Sequence, residues 1–185
     1  VSIHLGNGAS ICAVNRGHSM DSSMGMTPLE GLVMGTRSGD VDPGAFGFLS
    51  RELQLSVQEI EDALYYESGL KGLAGSSDMR DIEDRAAKGD PEAQLAIEIY
   101  AYRAKKYVGA YAAAMGGLSI ASIRSSSASE SPSFRRSWTA GSASHANGTN
   151  PFLIPVCRGS FHRTQRIDEL QPGKVLLVVR NHNTV

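Results

Sequence analysis

The chain has 185 residues and a mass of 19.7 kDa, with 41% hydrophobic and 20% charged residues and a formal net charge of −1. These values are typical of one globular domain or a large part of one, and they disfavour partners such as nucleic acid or an anionic membrane. No run of 18 apolar residues and no signal-peptide pattern is present, and two cysteines are too few for a disulfide framework. We therefore expect a cytoplasmic protein.

The first part of the chain predicts an antiparallel meander of short strands. Apolar runs at 1–5 and 9–14 flank Asn7-Gly8, and this pattern favours a hairpin whose two turn residues have positive φ. A second turn and a polar edge strand at 19–23 are expected to follow. Residues 27–44 are rich in glycine and predict an ordered, irregular loop region, where functional sites usually lie.

Capping signals predict the helices that follow. Pro43 is expected to open a helix that ends near Leu53. Ser56 with Glu59 three residues later has the spacing of a capping box, and it predicts a second helix that Gly69 ends.

The next segment predicts a loop and two further helices. Residues 72–77 are rich in glycine and serine and indicate a loop, after which Asp78 or Ser77 caps a helix. Asp90-Pro91 predicts the start of one long helix that ends at the glycine pair 116–117. Its charged cluster at 103–106 is expected to be a solvated face, and its tyrosines are expected to pack in the core.

The composition changes after Leu118. Residues 1–118 carry 16 acidic and 10 basic side chains, whereas 119–185 carry 3 and 8, so the net charge changes from −6 to +5. Serine makes up 11 of the 26 residues at 119–144. Few large apolar side chains there can offset the entropy cost of ordering, about 1–2 kcal/mol per residue. We expect a boundary near Leu118 and one strand beyond it, at 175–179.

Two glycine-rich segments are candidate phosphate sites. The turn His4-Leu5-Gly6-Asn7-Gly8 could direct backbone N–H groups at an anion, or it could be a plain hairpin turn. The loop at 34–40 places one arginine between glycines. That arginine could hold a carboxylate or phosphate through two hydrogen bonds, or it could tie down its own loop through carbonyl groups or a nearby carboxylate.

The acidic residues leave two further alternatives open. Asp40 and Asp42 could bind Mg²⁺, or they could solvate a turn or pair with the loop arginine, Arg37. The run Asp78-Met79-Arg80 could contact a ligand, or it could be a helix cap with surface charges.

Taken in order, three segments resemble the acetate kinase family. They are HLGNGASICAVNRG, SMGMTPLEGLVMGTRSGDVDP and SGLKGLAGSSDMRDI, and the likeness continues through the long helix to about residue 118. The resemblance implies an α/β fold, a partial RNase H-like lobe of the actin, sugar kinase and Hsp70 superfamily. It also implies transfer of a phosphoryl group between ATP and acetate with Mg²⁺, and a homodimer in the complete protein. The tail at 119–185 departs from the family.

The resemblance also implies which residues form the site. Arg37 is expected to be catalytic by stabilising charge on the transferring phosphoryl group. The positions that match the family's nucleotide site are His4, Leu5, Gly6, Asn7, Gly8, Asp78, Met79 and Arg80. Met79 replaces the more usual Phe, so weaker stacking is expected there. The metal ligand is not assigned.

Three hypotheses about function remain open. The first is an acetate kinase-type phosphotransferase that is inactive as this isolated fragment, because the family's first lobe and its acetate pocket precede the matched segment. The second is a propionate or butyrate kinase of the same family. The third is a non-catalytic fragment, truncated or frameshifted, with at most weak nucleotide binding.

The tail itself predicts either a disordered segment or a frameshifted reading of family DNA. Permitted codons for 127–131 read Gly-Ile-Gly-Glu in another frame, which matches the family's glycine loop. The nucleotide sequence decides between these two hypotheses.

Overall fold

The computed structural model describes residues 1–118, 120–125, 136–137, 156–157 and 176–181. This part of the chain contains six strands and five helices. Three strands come first, the five helices follow, and three further strands come last. The strands are β1 (Ser2–Leu5), β2 (Ala9–Asn15), β3 (His18–Ser22), β4 (Ile120–Ser125), β5 (Val156–Cys157) and β6 (Leu176–Asn181). The helices are α1 (Gly44–Leu53), α2 (Val57–Tyr66), α3 (Gly69–Ala74), α4 (Met79–Ala87) and α5 (Pro91–Ala114).

The described strands form one mixed sheet in the order β3-β2-β1-β4-β6-β5. β1 pairs antiparallel with β2, from Ser2 opposite Cys12 to Leu5 opposite Ala9. On its other side β1 pairs in parallel with β4, and the remaining pairs of β4, β6 and β5 are parallel as well. The meander β1-β2-β3 is therefore joined, through β1, to a parallel half of the sheet.

The predicted meander is confirmed, but the expected turn geometry at Asn7-Gly8 is wrong. Neither of these residues has a positive φ; the turn instead spans Gly6 to Gly8, where the Gly6 N–H donates to the Gly8 carbonyl at 3.0 Å. The two-residue turn with positive φ at both positions lies between β2 and β3, at Arg16 (φ 50°) and Gly17 (φ 84°). That geometry matches the twist of a tight hairpin.

Side-chain caps begin three helices where the sequence predicts them. Ser56 and Glu59 form the full capping box of α2, and Asp78 caps α4 by accepting from the N–H of Arg80. Asp90 caps α5 by accepting from two backbone N–H groups, and it also pairs with Arg85 at 2.7 Å. The Arg85 hydrogen bond and the backbone donors lower the pKa of Asp90.

α3 corrects the loop predicted at 72–77, because part of that segment is helical. Two of its six residues are glycine, so its helix propensity is low. Leu70 and Ala74 lie four positions apart and are both buried in the core. Tertiary burial of this face stabilises a helix that local preference alone does not favour.

The hydrophobic core joins β1 and β2 of the sheet to the helices α3, α4 and α5, with α3 and α4 packed on α5. Ile3, Leu5 and Ile11 alternate with exposed or half-exposed positions along β1 and β2, and each is at most 1% exposed. The inner face of α5 carries mostly alanine, which allows the helix to approach its neighbours closely. None of the helices that the structure describes combines the length and hydropathy needed to cross a membrane.

The described part of the tail contains two strands, β4 and β5, that the sequence does not predict. β4 lies between β1 and β6, and its Ala121 is fully buried. The strand predicted at 175–179 is confirmed as β6. The boundary near Leu118 and the two hypotheses for the tail stay predictions, because most of that segment lies outside the described residues.

Candidate functional site

The turn between β1 and β2 contacts the glycine-rich loop that carries Arg37. The carbonyl of Asn7 accepts a hydrogen bond of 2.9 Å from the N–H of Gly35. A Cβ added to Gly35 would overlap the side-chain amide of Asn7, so the absence of a side chain permits this contact. The structure thus brings together the two segments that the sequence predicts as phosphate sites.

The turn itself is compact and partly exposed. His4 lies on the exposed side of β1, and a Cβ on Gly6 would come within 3.1 Å of its Nε2 atom. Leu5 is buried in the core and anchors the turn to the sheet. A Cβ on Gly8 would lie 3.6 Å from the Nη1 atom of Arg37, which places the guanidinium directly beside Gly8.

Arg37 has no carboxylate partner within ion-pair distance among the described residues. Its Nη1 donates to the carbonyl of Pro28 at 3.4 Å and contacts the sulfur of Met34 at 3.7 Å. Its Cζ lies 6.0 Å from the centre of the Tyr65 ring, within the range of a cation–π contact. These contacts are weak, so the positive charge remains available to an anion.

The start of α3 holds the loop of Arg37 in place. The N–H groups of Ser68, Leu70 and Lys71 donate to the carbonyls of Thr36, Met34 and Gly35, each at 2.9 Å. Three successive loop carbonyls therefore point at one helix start, where N–H groups lack partners within the helix. These bonds fix the middle of the loop through its backbone.

Gly69 is a residue of this site that the sequence does not identify, because its position indicates only the end of a helix. Its φ is +59°, and a Cβ would overlap the carbonyl oxygen of Met34 and lie 2.7 Å from that of Arg37. Only glycine fits this conformation and this close approach. No local signal separates it from an ordinary helix-ending glycine.

We expect Gly69→Ala to lower the free energy of unfolding by about 2–4 kcal/mol. Left-handed strain and overlap with backbone atoms both contribute, each on the order of 1–3 kcal/mol. Gly75→Ala is the matched control, because Gly75 has a φ of +72° but nothing within 4 Å of an added Cβ. Urea unfolding curves of both variants measure the difference. Equal losses for the two variants would contradict a tight contact at Gly69.

The carboxylate of Asp40 is fully engaged away from Arg37. It accepts from the N–H of Gly31 at 2.8 Å, from Nη1 of Arg103 at 2.9 Å, and from the hydroxyl of Tyr107 at 3.0 Å. Burial and the Asp40 hydrogen bond raise the pKa of Tyr107, which keeps its hydroxyl protonated as a donor. The solvated face expected for Arg103 is therefore wrong, since its guanidinium is paired and only 28% exposed.

The described residues do not form a Mg²⁺ site of three or more protein side chains. Asp42 accepts from the N–H of Gly44 at the start of α1, and Asp40 is occupied as above. No group of three His, Cys, Asp or Glu side chains in the described ranges could hold a metal ion.

The predicted contact segment at the start of α4 forms a compact unit of its own. Arg80 binds the carboxylate of Asp78 at 2.6 Å, and this hydrogen bond lowers the pKa of Asp78 to about 2. Met79 is 6% exposed and packs in the core, so little of its side chain is available for stacking. The hydrogen bonds and the ion pair of this segment join its own residues and none of them reaches Arg37. Their contact with a nucleoside stays a prediction.

Comparison with known proteins identifies relatives of this chain. It matches the Acetokinase family over residues 1–124. It is 51% identical to the acetate kinase of Heliobacterium modesticaldum over 142 residues, which is 76% of this chain and 36% of that protein. It is 57% identical to the acetate kinase of Coprothermobacter proteolyticus over 122 residues, 65% of this chain and 30% of that protein. The chain thus spans about a third of the length of these relatives.

Solved structures show the same fold. An acetate kinase from Porphyromonas gingivalis matches with a TM-score of 0.71 and 46% identity, over 76% of this chain and 35% of that one. A propionate kinase from Francisella tularensis matches with a TM-score of 0.71 and 45% identity, over 74% of this chain and 36% of that one. The mixed sheet and its helices are therefore similar to part of the acetate and propionate kinase fold, the actin- and Hsp70-like fold expected from the sequence.

Proposed function

Because the chain belongs to the acetokinase family, we propose that it forms part of the nucleotide-binding lobe of an acetate kinase. The proposed reaction transfers the terminal phosphoryl group of ATP to the carboxylate of acetate, which yields ADP and acetyl phosphate. The observation that carries this proposal is the guanidinium of Arg37, which lies beside the glycine turn at Gly8 and forms no ion pair with any described carboxylate.

The role proposed for Arg37 follows from the charge of the reaction. Phosphoryl transfer requires positioning and charge neutralisation more than covalent help from the protein. A guanidinium presents a rigid fork of N–H donors that matches phosphate oxygens. In the proposal, Arg37 donates to the transferring phosphoryl group, and the turn from His4 to Gly8 lines the nucleotide phosphates.

Other parts of the proposal rest on the family resemblance. Asp78, Met79 and Arg80 are proposed to contact the nucleoside, and ATP is proposed to react as its magnesium complex. A homodimer of the complete protein and a cytoplasmic location are proposed on the same ground. Propionate is a second candidate acceptor, because the propionate kinase structure matches this chain with the same TM-score as the acetate kinase.

Binding of ATP to the 185-residue chain tests the nucleotide site directly. Calorimetric titration should give saturable binding that Arg37→Ala weakens by about tenfold or more, since a hydrogen bond to a charged group is worth about 1.5–3 kcal/mol. Arg51→Ala is the matched control, because Arg51 lies in the last turn of α1 and is exposed.

Two results would contradict this proposal. Absence of saturable ATP binding by the unmodified chain would favour the hypothesis of a non-catalytic fragment. Equal weakening by the two arginine substitutions would show that general charge, rather than the position of Arg37, attracts the nucleotide.

A further inference from the structure

The orientation of Arg37 depends on its loop backbone. Its side chain makes one long hydrogen bond, one contact with sulfur and one ring contact at 6.0 Å. None of these contacts involves an opposite charge, so no ion pair within the described residues holds the guanidinium. Whatever holds the loop closed therefore also determines where the guanidinium lies.

Asp40, at one end of this loop, bonds to Gly31 at the other end and so closes the loop. Its backbone N–H donates to the carbonyl of Gly31 at 3.1 Å, and its carboxylate accepts from the N–H of Gly31 at 2.8 Å. Gly39, with a φ of +73°, makes this closure possible, because a Cβ there would lie 2.6 Å from the Gly31 carbonyl. Residues 31–40 thus form a closed loop, and Arg37 is one of its residues.

The same carboxylate attaches the closed loop to the core of the protein. Arg103 and Tyr107 lie one turn apart on α5, and both donate to Asp40. α5 in turn packs against the sheet that ends in the turn at Gly8. One side chain therefore connects the Arg37 loop to the body that carries the opposing turn.

We propose that Asp40 is a positioning residue that keeps Arg37 aligned with the Gly8 turn through its bonds to Gly31, Arg103 and Tyr107. Only the expected change in ATP affinity rests on the proposed function, because loop closure can be measured without a ligand. Asp40 touches no reacting atom and acts through Arg37.

Asp40→Asn tests this role, with Asp90→Asn as a matched control. Asp90 also accepts from an arginine and from backbone N–H groups, but it caps the far end of α5. The first readout is amide exchange by NMR at Met34 and Ser38, whose N–H groups bond to Arg37 and Leu64. We expect about tenfold faster exchange at both amides in Asp40→Asn and no change there in Asp90→Asn.

The second readout is ATP affinity. If the closed loop falls to about a tenth of the population, the dissociation constant for ATP rises about tenfold. Asp90→Asn is expected to lower stability but to leave this affinity unchanged. Tyr107→Phe removes one hydrogen-bond donor to Asp40 without changing the charge. If Asp40→Asn does not fold, the amide exchange and ATP affinity of Tyr107→Phe test the positioning role instead.

The outcomes separate this inference from the proposed function. Unchanged loop exchange in both Asp40→Asn and Tyr107→Phe overturns the positioning role, as does equal acceleration in the Asp90 control. Faster loop exchange with unchanged ATP affinity also overturns it, because the loop would then not align the binding group. Absence of ATP binding by the unmodified chain contradicts the proposed function, and the exchange rates then decide the role of Asp40.

Discussion

Replacing Arg37 by alanine in a complete family enzyme that carries this segment is expected to lower turnover by about 10²–10³-fold. This is the scale for loss of one group that stabilises transition-state charge. Among the described residues no carboxylate pairs with this guanidinium, so the substitution removes a positive charge without leaving a partner charge unpaired. Stability is therefore expected to change little, which circular dichroism of the variant checks.

Arg37→Lys separates the geometry of the guanidinium from its charge. An ammonium group keeps the positive charge but cannot form two parallel hydrogen bonds, so we expect turnover to stay low. Steady-state kinetics with ATP and acetate should show the loss in turnover more than in the Michaelis constant. Near-normal turnover of Arg37→Ala would contradict a role at the phosphoryl group.

The 185-residue chain alone is expected to produce no acetyl phosphate at a useful rate. An enzyme gains up to roughly 7–11 kcal/mol by holding both reactants in the reactive geometry. The matched segment spans about a third of the curated relatives, and the resemblance places the acetate pocket in the lobe before it. A chain that binds only the nucleotide gains little of this advantage.

A coupled assay for acetyl phosphate, with ATP, Mg²⁺ and acetate, measures this expectation. A complete acetate kinase assayed in parallel provides the reference rate. Turnover of the isolated chain near ordinary enzyme values, about 10 s⁻¹, would show that these residues contain both substrate sites.

Much of the helical part could be predicted because its signals are local. Ser56 with Glu59, Asp78, and Asp90 before Pro91 each satisfy backbone N–H groups within three residues, so sequence spacing alone identifies them. The glycine turn and the Arg37 loop were also predicted as site segments. Their mutual contact was not predicted, because it joins residues from distant parts of the chain.

The contacts that hold the site together could not be read from spacing. Asp40 and Tyr107 are separated by 67 positions, and the local pattern around Tyr107 is that of an ordinary packed helix. The Asn7-Gly8 pair has the composition of a tight two-residue turn, yet the structure uses that geometry at Arg16-Gly17. Pairing of Leu5 with Ala9 leaves three residues in the first turn, which changes its backbone conformation.

The central position of β1 has a consequence for synthesis of the protein on the ribosome. β1 can pair with β2 as soon as the hairpin emerges, and hairpins form within about 1–10 μs. Its other edge stays unpaired until β4 has been synthesised, because Ser2 pairs with Ser122. At 5–20 residues per second that delay is on the order of 10 s, and closing a loop on the order of 100 residues costs about 4 kcal/mol. During this interval the nascent chain exposes an unpaired strand edge, and such edges are prone to pair with other chains and aggregate.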